Sequence, residues 1–239
     1  MLKIENVCKQ FQGVKAVNEL SFSVEKGQIF GVIGPNGAGK TTLFNLISGS
    51  FKPDSGAIYF NGRNSTKMKC YTLCKSGIGR TYQVVKPFAS LSVLENVMVG
   101  AFNTITSKED VLKYAMSILT KVGLQKKATY IGSSLTLAEK KRMEIARALA
   151  TKPKLLLLDE VMAGLNTSEV KELLPLVLTL RDEGMTIVII EHIMEVVMTI
   201  CDHIVVINYG QKIAEGCPRE VANHPEVIKA YFGEEMTIA

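Results

Sequence analysis

Gly34-Pro35-Asn36-Gly37-Ala38-Gly39-Lys40-Thr41-Thr42 is the stretch that decides the fold. Its glycines let the backbone turn so that successive N–H groups point inward, at the oxygens of a phosphate. In the pattern G-x-x-x-x-G-K-[ST], Lys40 reaches the β- and γ-phosphates as a point charge and the Thr41 hydroxyl ligates Mg²⁺. The flanks agree. Residues 28–33 are a short apolar run that reads as a buried strand, and residues 41–48 read as a helix closed by Gly49. Strand, glycine loop and helix is the order an anion site needs, because the helix N-terminus adds its own dipole.

On either side of this stretch, residues 2–7, 20–24 and 57–60 read as strands, with turn signals at Pro53-Asp54-Ser55-Gly56 and Asn61-Gly62. After Ile33 the pattern becomes strand–helix alternation, which predicts a mostly parallel sheet. From about residue 91 to 152 there is little strand signal, and apolar residues recur at helical spacing in 111–122 and 143–149. A helical block is therefore expected between two halves of the sheet. Residues 155–158, 186–190 and 204–207 are the remaining core strands. Pro175 lies within the helical pattern of 170–180 and is expected to kink it. Asn208-Tyr209-Gly210 makes a hairpin turn before residues 211–215, and two short helices follow, the first entered through Pro218.

The 239 residues suffice for one α/β domain or a core with a subdomain. No apolar run approaches the roughly 18 residues of a spanning helix, and Met1-Leu2-Lys3-Ile4-Glu5 lacks a signal-peptide pattern. The expectation is a cytoplasmic protein, free or held at a membrane by a partner. Cys8, Cys70, Cys74, Cys201 and Cys217 are odd in number and scattered, in neither C-x-x-C nor zinc spacing, and read as reduced structural thiols. The net charge of +5 is mild and lacks the clustered bases and aromatics of a nucleic-acid stripe, so no nucleic-acid partner is expected. Lys67-Met68-Lys69 and Lys140-Lys141-Arg142 read as solvated faces.

Leu155-Leu156-Leu157-Leu158-Asp159-Glu160 is an apolar strand ending in two carboxylates, at the end where α/β sheets bind ligands. With the phosphate loop upstream, Asp159 is expected to hold Mg²⁺ through water and Glu160 to polarise the attacking water. Gln83 follows the strand-like residues 78–82 and can reach both metal and water. His192, just past residues 186–190, can contact a γ-phosphate or be a satisfied structural residue. Phe11, with Val17 after it, can offer a flat apolar face to adenine or belong to the core.

In this order, Phe11, residues 34–42, Gln83, residues 135–139, Asp159-Glu160 and His192 resemble the motifs of an ATP-binding-cassette (ABC) ATPase across almost the whole chain. They match its aromatic loop, Walker A, Q-loop, signature, Walker B and H-loop, and Ala163-Gly164-Leu165-Asn166 falls where the family has its D-loop. The resemblance implies one α/β nucleotide-binding domain with a P-loop NTPase (RecA-like), mostly parallel sheet core. That core and an antiparallel β subdomain would take residues 1–83 and 155–239, and an inserted α-helical subdomain residues 84–154. It implies ATP and Mg²⁺ as ligands, a second ABC ATPase chain and integral membrane permease subunits as partners, and a solute-binding protein indirectly. Gly79-Arg80-Thr81-Tyr82-Gln83, Glu144-Ile145-Ala146-Arg147-Ala148-Leu149-Ala150, Ile190-Glu191-His192-Ile193-Met194 and the tail at 227–234 are similar to the branched-chain amino acid uptake subfamily. Similar tails occur in some lipopolysaccharide-export ATPases. The implied function is the ATP-hydrolysing subunit of a membrane importer, peripheral on the inner face of the cell membrane. The alternatives are an exporter ATPase, a nucleotide-gated scaffold without turnover, and a soluble ABC ATPase, a class that usually carries fused cassettes or long insertions.

The family's LSGGQ segment is here Leu135-Thr136-Leu137-Ala138-Glu139. In the family it reaches across a dimer to the other chain's γ-phosphate with a serine hydroxyl, backbone N–H groups and a helix N-terminus. Thr136 keeps a hydroxyl, and backbone donors survive at Leu137 and Ala138 where no positive φ is required, although Leu137 crowds a close phosphate approach. Thr136-x-x-Glu139 is also a capping box opening the helix to Lys152. Val161 stands where the family usually has proline. The hydrolytic residues are intact, so the expectation is an ATPase that is slow alone and stimulated by a membrane partner docked on the helical block. Lys86-Pro87-Phe88 is the candidate contact.

Overall fold

The computed structural model describes residues 1–83 and 86–232. Val84 and Val85, where the helical subdomain is expected to begin, and Gly233 and Glu234 of the tail lie outside the described residues. The strands are β1 (Leu2–Phe11), β2 (Val14–Val24), β3 (Ile29–Ile33), β4 (Ser55–Phe60), β5 (Arg63–Asn64), β6 (Ile78–Arg80), β7 (Leu155–Asp159), β8 (Thr186–Ile190), β9 (His203–Asn208) and β10 (Gln211–Gly216). The helices are α1 (Lys40–Ile47), α2 (Cys70–Ser76), α3 (Val93–Ala101), α4 (Lys108–Lys121), α5 (Leu137–Ala150), α6 (Thr167–Asp182), α7 (Met194–Ile200), α8 (Pro218–Ala222) and α9 (Pro225–Phe232). The chain divides into two compact units, Met1–Leu73 with Thr186–Ala239, and Cys74–Met185.

In the first unit β1 pairs antiparallel with β2 and β4. β3 lies parallel to both β8 and β9, and β10 returns antiparallel along β9. Every residue of β3 and of β8 is buried, as strands of a parallel sheet covered on both faces must be. β1 and β2 extend well beyond the expected 2–7 and 20–24. Register shifts between Ile4 and Val7 and between Val7 and Lys9 are bulges that move the buried positions off strict alternation. The period-two signal stops at the bulge while the pairing continues.

In the second unit β6 and β7 pair in parallel, and α3, α4 and α5 pack on one another. Val97, Ala101, Val111, Ala115, Leu119, Met143 and Ile145 are fully buried there. Gly100 lets α3 approach α5 closely, since a Cβ on it would lie 2.5 Å from the Arg147 carbonyl oxygen. α6 runs as one helix from Thr167 to Asp182 with Pro175 inside it. None of the five cysteines is in a disulfide, and burial pushes the Cys201 thiol up to about 12.

Candidate nucleotide site

In the first unit β3 feeds the phosphate loop and α1 leaves it. Gly34 has φ +152° and Gly39 φ +102°. A Cβ on Gly34 would lie 2.0 Å from the Ile207 carbonyl oxygen, and one on Gly39 2.0 Å from that of Ala16. Only glycine fits at either point. The β9–β10 turn pins the loop: the Gly210 N–H donates to the Ala38 carbonyl at 3.0 Å, and the Asn18 N–H donates to the Gly210 carbonyl at 2.9 Å. Asn36 and Gly37 are exposed and Ala38 is buried. Lys40 is buried, and its Nζ donates to the carbonyls of Gly34 (2.7 Å) and Pro35 (2.9 Å). The ammonium is thus held against the loop that phosphates would enter. α1 starts at Gly39 with no side-chain cap and no acidic residue in its first turn, where Thr41 and Thr42 lie. Nothing in that turn opposes an anion.

Phe11 ends β1 and is 39 % exposed, edge-on to Phe51 at 5.3 Å between ring centroids. Val17 is 1 % exposed and belongs to the core, so of the two only Phe11 keeps a face for an adenine ring. His192 follows the end of β8 and is exposed, whereas its neighbour Glu191 is buried. Sequence reasoning missed Tyr231 on α9. Burial pushes its phenol up to about 12, against a hydrogen bond to the backbone of Gly34. α9 also bounds a cleft of about 510 Å³ together with Pro35, Asn36 and Tyr209.

In the second unit β7 is buried along its length. Asp159 is fully buried; its Oδ2 accepts from Arg80 Nη2 at 3.0 Å, and its N–H donates to the Thr81 hydroxyl at 3.0 Å. Burial pushes the Asp159 carboxyl up, and the Arg80 guanidinium works against that. The other oxygen, Oδ1, is buried with no hydrogen-bond partner. A hard oxygen donor left over in this way fits Mg²⁺ or a water bound to it. Glu160 has φ +50° and is buried. Its Oε2 accepts from Gln83 Nε2 at 2.6 Å, so two residues singled out from distant motifs meet directly. Such a backbone conformation costs a non-glycine residue about 1–2 kcal/mol, and stored strain of this kind collects at functional sites.

Lys141, expected on a solvated face, is 2 % exposed. Its Nζ donates to the carbonyls of Glu160 (2.9 Å) and Gln83 (3.3 Å). The signal was present: Lys141 lies four residues before Ile145 and seven before Ala148, on the buried side of α5. Arg80 and Glu144 were also missed. Glu144 accepts from the Tyr82 N–H at 2.7 Å.

The Thr136 segment forms the expected capping box. The Glu139 N–H donates to the Thr136 hydroxyl (3.3 Å), and the Thr136 N–H donates to Glu139 Oε2 (3.0 Å). Leu137 and Ala138 have no positive φ, so the absence of glycine there strains nothing. Leu137 is exposed. Burial raises the Glu139 carboxyl, but the ion pair with Lys127 and the Thr136 N–H outweigh it and hold the group below its ordinary value. Among the described residues no group of three or more His, Cys, Asp or Glu side chains could hold a metal ion. Mg²⁺ arriving with a nucleotide needs only one or two protein oxygens beside the phosphates.

A glycine-walled loop between a parallel strand and a helix defines a P-loop nucleotide-binding α/β protein. Residues 17–163 match the family model described as ABC transporter, and residues 211–237 match that described as Branched-chain amino acid ATP-binding cassette transporter. The chain is 38% identical to the high-affinity branched-chain amino acid transport ATP-binding protein BraF of Pseudomonas aeruginosa, over 98% of each chain. It is also 38% identical to LivG of Salmonella typhimurium, with the same coverage. Among solved structures, an ATP-binding cassette of an ABC transporter in its ADP conformation superposes with a TM-score of 0.89 at 34% identity, covering 98% of this chain and 99% of that one. The dimeric structure of a bacterial ABC transporter cassette gives 0.84 at 26%, covering 92% and 99%. The chain belongs to the ABC transporter ATPase family: it is an ATP-binding, ATP-hydrolysing subunit of a membrane transporter. Among the described residues no helix is long and apolar enough to cross a membrane.

Proposed function

We propose that the chain powers the uptake of branched-chain or closely similar amino acids, docked on the inner face of a membrane permease. The observation that carries this reading is the 38% identity, over 98% of both chains, to a relative named for that transport. The match over residues 211–237, which takes in β10, α8 and α9, supports the same branch.

The residues divide the work as follows. Backbone N–H groups of residues 34–39 and the α1 N-terminus cradle the phosphates, and Lys40 adds its charge at the β- and γ-positions. Phe11 stacks on adenine. Thr41, Gln83 and Asp159 supply the oxygens for Mg²⁺, which offsets phosphate charge when bound. Glu160 takes the proton of the attacking water while the Gln83 amide holds the carboxylate in place, and His192 contacts the γ-phosphate. The Thr136, Leu137, Ala138 and Glu139 segment of a second ATPase chain, identical or related, covers the phosphates. Closure of that dimer drives permease subunits that receive solute from a binding protein, with Lys86-Pro87-Phe88 in the contact.

The test is uptake of labelled leucine, isoleucine and valine into vesicles carrying the permease and this chain, with ATP on the chain's side. Uptake that needs ATP and disappears with Glu160→Gln is expected. ATP turnover with no entry of any branched-chain amino acid would overturn the substrate, and outward movement would replace importer by exporter.

A further inference from the structure

α5 carries three charged residues at a spacing of three, Lys141, Glu144 and Arg147, and each holds the segment around Gln83. Lys141 Nζ donates to the Gln83 carbonyl at 3.3 Å, and Glu144 Oε1 accepts from the Tyr82 N–H at 2.7 Å. Arg147 Nη1 donates to the Lys86 carbonyl at 2.9 Å, and its guanidinium lies 4.6 Å from the Phe88 ring centroid. Residues three apart share a helix face, so one edge of α5 grips this segment at successive turns. Of the three, Lys141 also reaches the Glu160 carbonyl, at 2.9 Å. A buried ammonium is costly unless it is hydrogen-bonded, and here two of its three donors go to the carbonyls of the two residues that also join through their side chains.

We propose that Lys141 is the positioning residue for the Gln83–Glu160 pair. Its ammonium clamps both backbone carbonyls and keeps Glu160 in its left-handed conformation, with the carboxylate against the Gln83 amide. This rests on the water-handling roles proposed for those two residues. Lys141 lies two residues beyond Glu139, in the helix whose first turn is the phosphate-covering segment. A displacement of that turn is therefore transmitted to the Glu160 backbone through one side chain.

Removing the clamp lets Glu160 relax out of its strained conformation, and a misplacement of about 1 Å at a reacting group costs on the order of 100-fold in rate. Lys141→Met keeps the length and removes the donors; Lys141→Arg keeps a donor. With ATPase kinetics and thermal melts on the same preparations, Lys141→Met is expected to lower kcat by about 100-fold with KM for ATP within about threefold of wild type. Lys141→Arg should restore most of kcat. In a Glu160→Gln background Lys141→Met should subtract little, because it acts through the group already removed. A folded Lys141→Met enzyme with kcat within about twofold of wild type, or a full additional loss on top of Glu160→Gln, would overturn the proposal. So would melts showing that Lys141→Met fails to fold and Lys141→Arg does not rescue it, which would make Lys141 a stability residue. Glu160→Gln alone separates the two layers: if it retains turnover, the role of Glu160 is wrong; if it abolishes turnover while Lys141→Met does not, only the clamp is wrong.

Discussion

The N-termini of α1 and α5 are two answers to one problem, the unsatisfied amides at the start of a helix. α1 begins at a left-handed glycine with no side-chain cap and no acidic residue in its first turn. α5 begins at Thr136, whose hydroxyl and the Glu139 carboxylate close a capping box. The first end leaves its amides and dipole to a ligand, with Lys40 behind the loop. The second satisfies itself and carries a negative charge, although it is the segment that resemblance assigns to covering a phosphate. A helix end built for an anion is thus recognised by what it lacks. The altered signature segment is not misfolded; it is self-capped and carries a carboxylate.

The contrast can be broken at the cap residues. Gly39→Ala forces a Cβ to 2.0 Å from the Ala16 carbonyl oxygen in a left-handed conformation. It is expected to destabilise by about 3 kcal/mol, or roughly 6–12 °C in Tm, measured by thermal melt. Lys40→Ala should leave the fold near wild type and weaken ATP binding about 10- to 100-fold, checked by equilibrium titration, because a charged contact to phosphate is lost. Thr136→Ala removes only a cap and should cost about 1 kcal/mol, a shift of roughly 2–4 °C.

The smallest change sharpens the contrast most. Glu139→Gln keeps a capping box and removes the charge. ATP-dependent turnover is expected to rise about two- to fivefold at low salt, and the gain should shrink as salt is added. No change at low salt would show that the charge does not bear on the phosphate. The pH dependence has a fixed sign. Against desolvation, Lys127 and Thr136 hold the Glu139 carboxyl below its ordinary 4.5 in the folded state. Its contribution to stability is therefore present above that value and lost as pH falls through the lowered one, and the Glu139→Gln melt should lack that loss.

What was legible in the sequence was local. Gly34 and Gly39 take positive φ within the loop, a local demand, and Thr136 finds Glu139 across three residues, so both could be read directly; the Ile207 and Ala16 carbonyls that also exclude a Cβ could not. What was not legible depended on partners far away in the chain. The helical spacing of Lys141 to Ile145 and Ala148 marks the inward side of α5, but the acceptors of its ammonium, the carbonyls of Gln83 and Glu160, lie far away in the chain. The Arg80–Asp159 pair joins residues on two different strands. Val17 looked available beside Phe11 because a bulge in the β1–β2 pairing, invisible to alternation, sends it into the core. The hydrogen bond of Tyr231 to Gly34 links the last described helix to the loop and leaves no pattern in either segment.

The proposed route of ATP hydrolysis runs through Glu160, next to Gln83 and in the clamp of Lys141. Phosphate release at saturating Mg²⁺-ATP, compared between wild type and Glu160→Gln with bound nucleotide quantified in the same samples, tests it most directly. The variant is expected to retain nucleotide and to release phosphate at least about 100-fold more slowly. Equal rates of release from the two proteins would contradict it.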